Sequence, residues 1–245
     1  MTQIRRRTFM KTAAAATAWY GAPRLMAAPT DRTLGANDDI RMAVIGVGRQ
    51  GGGHLDRLLA MPGVRLVAAC DPEGDSRRKA HRKAEEAGVK IDTYTDLRKL
   101  LERDDIDAAV VVTPHHWHIL AAIWALQAGK HVYVEKPVSH NVWEGRQLVN
   151  AARSTGLVVQ AGTQNRSDVG LLEAFPWIQA GNIGPIKRVV GLCYRNRKSI
   201  GKRADTLTPP STLDYDLWLG PAHHEPLYRP SFHSHWHWMW NTGNG

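Results

Sequence analysis

A chain of 245 residues, 43% hydrophobic and 22% charged with 22 Gly and 13 Pro, is long enough for one large domain or two modest ones. Its composition excludes a disordered, collagen-like or disulfide-scaffolded protein. The formal net charge of +9 is concentrated at one end: Arg5, Arg6, Arg7, Lys11 and Arg24 lie in an acid-free stretch of thirty residues, which leaves +4 for the remainder. That remainder is an ordinary solvated surface, and no nucleic-acid partner is expected from it.

The first thirty residues run from a basic start through an apolar stretch, residues 12–22, to small residues at Ala27 and Ala28. That order is the one of an export signal. Eleven apolar residues fall short of the roughly 20 that a spanning helix needs, so no membrane span is expected. With Arg6 and Arg7 as the pair and Phe9, Met10 and Lys11 behind them, residues 1–30 resemble a twin-arginine signal. Such a signal implies a periplasmic protein that folds before export, with a basic cytoplasmic tail as the alternative. A polar linker follows at 31–39.

Residues 40–45 (IRMAVI) have the β-branched character of a buried parallel strand and run directly into Gly46-Val47-Gly48-Arg49-Gln50-Gly51. A helix is predicted over 54–61, then a second apolar strand over 64–70 that ends at Asp71. Strand, glycine turn, helix, strand and acid, with 20 residues from Gly51 to Asp71, make a dinucleotide-binding fingerprint. Each residue type has its own reason: Gly46 for the tight turn, Gly48 for close approach to a pyrophosphate, and Gly51 for helix packing. Val47, Arg49 and Gln50 complete the loop whose N–H groups face the phosphates. Asp71 would bind the ribose hydroxyls and repel a 2′-phosphate, which selects NAD; Arg77 and Arg78 just downstream keep NADP as the alternative.

Helix and strand patterns keep alternating. Helices are predicted over 76–87, 96–102, 116–128 and 142–154, and strands over 90–93, 106–113, 131–134 and 157–160. Six strands separated by helices predict an α/β fold with a doubly wound parallel sheet. Ligands in such sheets sit beyond the carboxyl ends of the strands, where Thr113-Pro114-His115 and Glu135-Lys136-Pro137 both fall. Cys70 and Cys193, 123 residues apart, read as inert core thiols with no bridge or metal spacing.

Gly46-Val47-Gly48-Arg49-Gln50-Gly51, residues 113–118 (TPHHWH), residues 128–137 (AGKHVYVEKP) and Ala161-Gly162-Thr163-Gln164 together resemble one family. It is the Gfo/Idh/MocA family of glucose-fructose oxidoreductase, inositol dehydrogenase and rhizopine-catabolism proteins, and the likeness runs from residue 40 to residue 245. Glu135-Lys136-Pro137 is its most specific motif. The resemblance implies a Rossmann domain followed by an α+β domain, with hydride transfer between a nicotinamide cofactor and a sugar, polyol or related hydroxylated substrate. It puts Lys136 beside the nicotinamide and the substrate hydroxyl, as the catalytic residue. It gives Glu135 to the nicotinamide ribose and has Thr113, Pro114 and His115 line the cofactor. His118 would brace the loop, and Gln164 and Arg166 would face the cleft.

The Rossmann domain is assigned to 40–161 and the beginning of the second domain to 162–245. There a helix is predicted over 169–180, a turn at 181–184 and a strand over 186–194, followed by a loop rich in Pro, Trp and His. By resemblance that loop walls the cleft. His233, His235 and His237 alternate, so an extended chain would present them on one face, but no carboxylate or Cys accompanies them, and an aromatic wall is expected rather than a metal. Three tryptophans in the last ten residues ask for a partner surface. The resemblance implies a further helix bearing a catalytic histidine, then an open sheet through which members associate as homo-oligomers, so the sequence reads as a truncated member. The rival readings are a catalytically silent dinucleotide-binding fragment and a glycosidase that uses NAD without net reduction.

Overall fold

The computed structural model describes residues 38–193 and 198–245. Six parallel strands form one sheet: β1 (Ile40–Ile45), β2 (Val64–Cys70), β3 (Asp92–Tyr94), β4 (Ala108–Val111), β5 (His131–Glu135) and β6 (Val159–Gly162), in spatial order β3-β2-β1-β4-β5-β6. This is the doubly wound Rossmann order, with its crevice above β1, where the winding direction reverses. The connecting helices are α1 (Arg49–Leu59), α2 (Gly74–Glu86), α3 (Leu97–Leu101), α4 (His115–Gln127) and α5 (Val142–Thr155).

Period-2 alternation in the strands builds a core on each face of the sheet. Ala43, Ile45, Ala109 and Val111 point to the side covered by α3, α4 and α5, where Leu100, Ala122, Leu126 and Leu148 meet them. Val44 and Val110 point to the other side, onto Leu55 and Leu58 of α1 and Ala80 and Ala84 of α2. Strands this short and buried on both faces need nearly all of their residues apolar.

Helix starts divide into two kinds. α2, α3 and α5 are capped by the side chains of Glu73, Asp96 and Asn141, each accepting from first-turn N–H groups. α1 and α4 begin at Gly48 and Pro114 with no side-chain cap. These two flank the crevice, so their first-turn donors are left for something other than the protein.

After β6 come a 3₁₀ turn (Gln164–Ser167) and α6 (Val169–Gln179), which buries none of its residues. Residues 207–245 fold back over the carboxyl ends of the strands, with two short helices, α7 (Tyr215–Leu219) and α8 (Phe232–His235), and a 3₁₀ turn (Trp236–Trp238). Leu213, Trp218, Leu219, Leu227 and Phe232 form a third small core beneath them. The segment is tied to the end of β2 by Gly74 N–H to the Thr212 carbonyl, 2.8 Å, and Asp214 N–H to the Pro72 carbonyl, 3.1 Å. It is tied to α4 through Trp117 Nε1–H, which lies 3.0 Å from the Trp218 carbonyl.

Several expectations are corrected here. The described part of the expected strand at 186–194, residues 186–193, forms none; Val189 and Leu192 lie exposed, and β-branched composition alone does not make a strand without a ladder partner. Cys193 is exposed, whereas Cys70 is buried. α1 starts at Arg49 rather than at 54, because packing against β1 carries the helix through three consecutive glycines. His115 is the first residue of α4 rather than part of a loop. Residues 232–238 are helical, so His233, His235 and His237 do not share an extended face. The signal reading of residues 1–30 lies outside the described residues. No helix among the described residues is long and apolar enough to cross a membrane.

Candidate active site

The glycine turn is shaped by contacts below it and openness above it. Gly46 has φ +87°, and a Cβ there would meet the Val112 carbonyl oxygen at 2.7 Å. A Cβ on Gly51 would overlap the carbonyl oxygen of Gly46, so α1 crosses the turn closer than any side chain allows. A Cβ on Gly48 would meet nothing within 4 Å. The turn is anchored by Gly46 N–H to the Cys70 carbonyl, 2.7 Å, and by Val47 N–H to the Asp71 carboxylate, 2.9 Å. Val47 itself points into the core.

Asp71 is buried at the end of β2, and its second oxygen accepts from Glu73 N–H at 2.9 Å. Burial raises its pKa to about 6 against the lowering effect of those two N–H groups. Of the two basic residues that kept NADP open, Arg77 donates to the Asp71 carbonyl at 2.5 Å and stays at the end of β2, and Arg78 pairs with Asp75.

At the other end of the cleft, Glu135 closes β5 at 2% exposure. One of its oxygens accepts from His54 Nε2 at 2.8 Å and Gln50 Nε2 at 3.2 Å, and from Gln164 Nε2. The other accepts the Lys136 N–H at 2.7 Å. Burial alone would raise its pKa; these hydrogen bonds outweigh burial and hold the carboxyl below the usual carboxylate range. The carboxylate thereby ties α1 to the loop carrying Lys136, which is exposed at the cleft. A cis Lys136-Pro137 bond turns that loop, and His118, on α4, holds it with Nδ1 2.7 Å from the Pro137 carbonyl.

Gly46, Gly48, Arg49, Gln50, Asp71, Thr113, Pro114, His115, Glu135 and Lys136 all line one cleft of about 440 Å³. Val47, Gly51 and Gln164 support it without lining it: Val47 through Asp71, Gly51 by packing under Gly46, and Gln164 through Glu135. Arg166 is exposed and is not part of the lining. The roof comes from residues 207–245, with Trp218, His233, Trp236, His237 and Gly245. It is latched beside Lys136: Asn244 N–H donates to His115 Nδ1 at 3.2 Å, and its side-chain amide donates to the Ser139 and His140 carbonyls. Burial, with His118 and His237 nearby, lowers the pKa of His115 to about 3, so this imidazole stays neutral. No group of three or more His, Cys, Asp or Glu among the described residues is placed to hold a metal ion.

Three observations fit these residues to a dinucleotide. Open space lies over Gly48, an uncapped eleven-residue helix starts behind it, and Thr113 Oγ1 is buried at the cleft with no partner. The residue that sequence reasoning missed is His54. Its one signal was a polar side chain three after Gly51 and four before Leu58, on the apolar stripe of α1.

Known proteins agree with this geometry. The chain is 37% identical over 169 residues to a glycosyl hydrolase family 109 protein of Saccharopolyspora erythraea, covering 61% of this chain and 37% of that one. It is 34% identical over 146 residues to the scyllo-inositol 2-dehydrogenase (NAD(+)) of Bacillus subtilis, covering 59% and 42%. The crystal structure of scyllo-inositol dehydrogenase from Lactobacillus casei with bound NAD(H) and scyllo-inositol superposes with a TM-score of 0.55 at 27% identity, over 60% of this chain and 43% of that one. The chain thus spans less than half the length of each of these proteins. The Gfo/Idh/MocA profile, described as an oxidoreductase family with an NAD-binding Rossmann fold, matches residues 40–163. The chain belongs to the Gfo/Idh/MocA oxidoreductase family, and these residues are its NAD-binding Rossmann domain.

Proposed function

We propose that this protein is an NAD-dependent oxidoreductase that moves hydride between the nicotinamide and a carbon of a sugar, polyol or related hydroxylated ring. The observation that carries the reading is the convergence on one cleft of the uncapped start of α1, Asp71 and the Glu135–Lys136 pair. Bound NAD supplies the hydride acceptor or donor. Gly46, Gly48 and the N–H groups of Arg49 and Gln50 hold the pyrophosphate, Asp71 the adenosine ribose, and Thr113, Pro114, His115 and Glu135 the nicotinamide half. Lys136, on the loop fixed by Glu135 and His118, donates a hydrogen bond to the reacting oxygen. NAD is favoured over NADP because the ionised Asp71 carboxylate at the end of β2 accepts from ribose hydroxyls and repels a 2′-phosphate.

Replacing Lys136 by Ala tests the assignment: turnover is expected to fall about 100-fold or more with NADH affinity little changed. Unchanged turnover would remove Lys136 from the chemistry. A second reading, NAD-assisted glycoside cleavage, is favoured by the glycosyl hydrolase family 109 relatives, and glycoside product formed without net NADH would select it.

Export by the twin-arginine route to the periplasm belongs to the same proposal and rests on Arg6, Arg7 and the apolar stretch behind them. Periplasmic fractionation, with Arg6 and Arg7 replaced by Lys as control, tests it. Self-association is the last part of the proposal: α6 leaves Leu172, Phe175 and Trp177 exposed on one element. Sedimentation velocity is expected to show concentration-dependent association that Phe175→Ser weakens, and a monomer at every concentration would remove it.

A further inference from the structure

A buried carboxylate needs donors to offset its lost water, and the last torsion of a glutamate side chain is soft, so those donors also decide which way its oxygens face. Glu135, 2% exposed, is supplied unevenly. Its Oε2 accepts the Lys136 N–H at 2.7 Å, which leaves that oxygen a further lone pair. Its Oε1 accepts from three side chains, those of Gln50, His54 and Gln164. The two glutamines are exposed and free to turn toward solvent. His54 is not.

The imidazole of His54 is 8% exposed on the inner face of α1, one turn after Gln50. Tyr133 and Glu135 stand two apart on β5 and so share the face of the sheet toward α1. The His54 ring packs beside the Tyr133 ring, centroids 5.5 Å apart, and its Nε2 reaches Glu135 Oε1 at 2.8 Å. An ionised carboxylate only accepts, so Nε2 carries the hydrogen. A leucine at 54 would extend the apolar stripe of Leu55 and Leu58, so packing alone does not call for an imidazole. His54 is also absent from the cleft lining and acts on the site only through Glu135.

We propose that His54 is the positioning residue of Glu135: its Nε2–H fixes the plane of the carboxylate, so that Oε2 holds the Lys136 N–H and keeps a lone pair for a hydroxyl of the nicotinamide ribose. The inference rests on the oxidoreductase reading, with NAD in this cleft. The same contact joins α1, whose first N–H groups face the pyrophosphate, to the strand end that carries Lys136. Both halves of NAD thereby meet parts of one hydrogen-bonded unit, set before the cofactor arrives.

Calorimetric titration of the full chain with NADH and, separately, with ADP tests it, because ADP has the adenosine and the diphosphate but no nicotinamide ribose. His54→Leu is expected to weaken NADH about tenfold and to leave ADP within about twofold of the wild type. His54→Gln, whose amide can donate from about the place of Nε2, is expected to restore NADH binding to within about threefold. In a Glu135→Ala background, His54→Leu is expected to cost less than about twofold more, since its partner is already gone. Equal losses of NADH and ADP in His54→Leu would make His54 a structural residue of α1 and overturn the inference. So would wild-type NADH affinity in that variant, no rescue by His54→Gln, or additive losses in the double variant; each leaves the oxidoreductase reading standing. A folded wild-type chain that binds neither nucleotide would overturn that reading, and the inference with it.

Discussion

A single methyl group separates the two glycines of the nucleotide turn. On Gly51 it would overlap the Gly46 carbonyl oxygen, whereas on Gly48 it would meet open space at an ordinary φ of −63°. Gly51→Ala is therefore expected to destabilise the protein by about 1–3 kcal/mol, while Gly48→Ala stays within about 0.5 kcal/mol and instead weakens NADH binding tenfold or more. Urea denaturation paired with NADH titration distinguishes the two, and equal losses of stability would contradict the geometry. Asp71 supplies a pH signature at the same scale. Burial raises its pKa to about 6, so the ionised carboxylate that ribose hydroxyls prefer is lost as pH falls through that value. In the free protein, a carboxyl raised in this way contributes stability that is present below its unfolded value of about 4 and lost as pH rises through about 6. NADH affinity is expected to weaken between pH 7.5 and 5.5, and Asp71→Asn to flatten that dependence. A wild-type affinity that is flat over this range would remove Asp71 from the ribose site.

At the scale of elements, the contrast between capped and uncapped helices locates the site. Glu73, Asp96 and Asn141 satisfy α2, α3 and α5 internally, while α1 and α4 turn their free donors toward the cleft. The roof is the second element-level feature, since the third small core holds it in place. Trp218 is the centre of that core, packed with Tyr215 at 5.7 Å and Phe232 at 6.0 Å between ring centroids. Trp218→Ala is expected to cost about 3–5 kcal/mol, borne by the roof. Hydrogen exchange should then lose protection at Gly74 and Asp214, whose N–H groups hold residues 207–245 to the end of β2, while the β1 and β4 amides keep theirs. Uniform loss across the sheet would mean that the roof and the Rossmann sheet unfold as one unit.

Across the whole molecule, what could be read in advance follows the range of the interactions. The sheet was legible because each strand is a short apolar run ended by a turn, and because Gly46, Gly48, Gly51 and Asp71 keep their fingerprint spacing within a single βαβ unit. The start of α1 was misplaced because Gly51, Gly52 and Gly53 carry low helix propensity, which packing against β1 overrides. The strand expected at 186–194 failed in its described part for the converse reason, since a local pattern cannot supply a neighbouring strand. The His54–Glu135 contact joins residues 81 apart in sequence and His115–Asn244 joins residues 129 apart, so neither leaves more than a lone polar residue in a local pattern. The alternation of His233, His235 and His237 would share a face only on an extended chain, and the backbone there is helical, so the three do not converge.

The central claim is that one cleft, from the glycine turn to Lys136, receives NAD. Calorimetric titration of the full chain with NADH and then NADPH, on a sample shown to be folded and monodisperse, tests it most directly. Saturable NADH binding at one site, with NADPH at least tenfold weaker, is the result predicted here. A folded, monodisperse sample that takes up neither nucleotide would contradict the account.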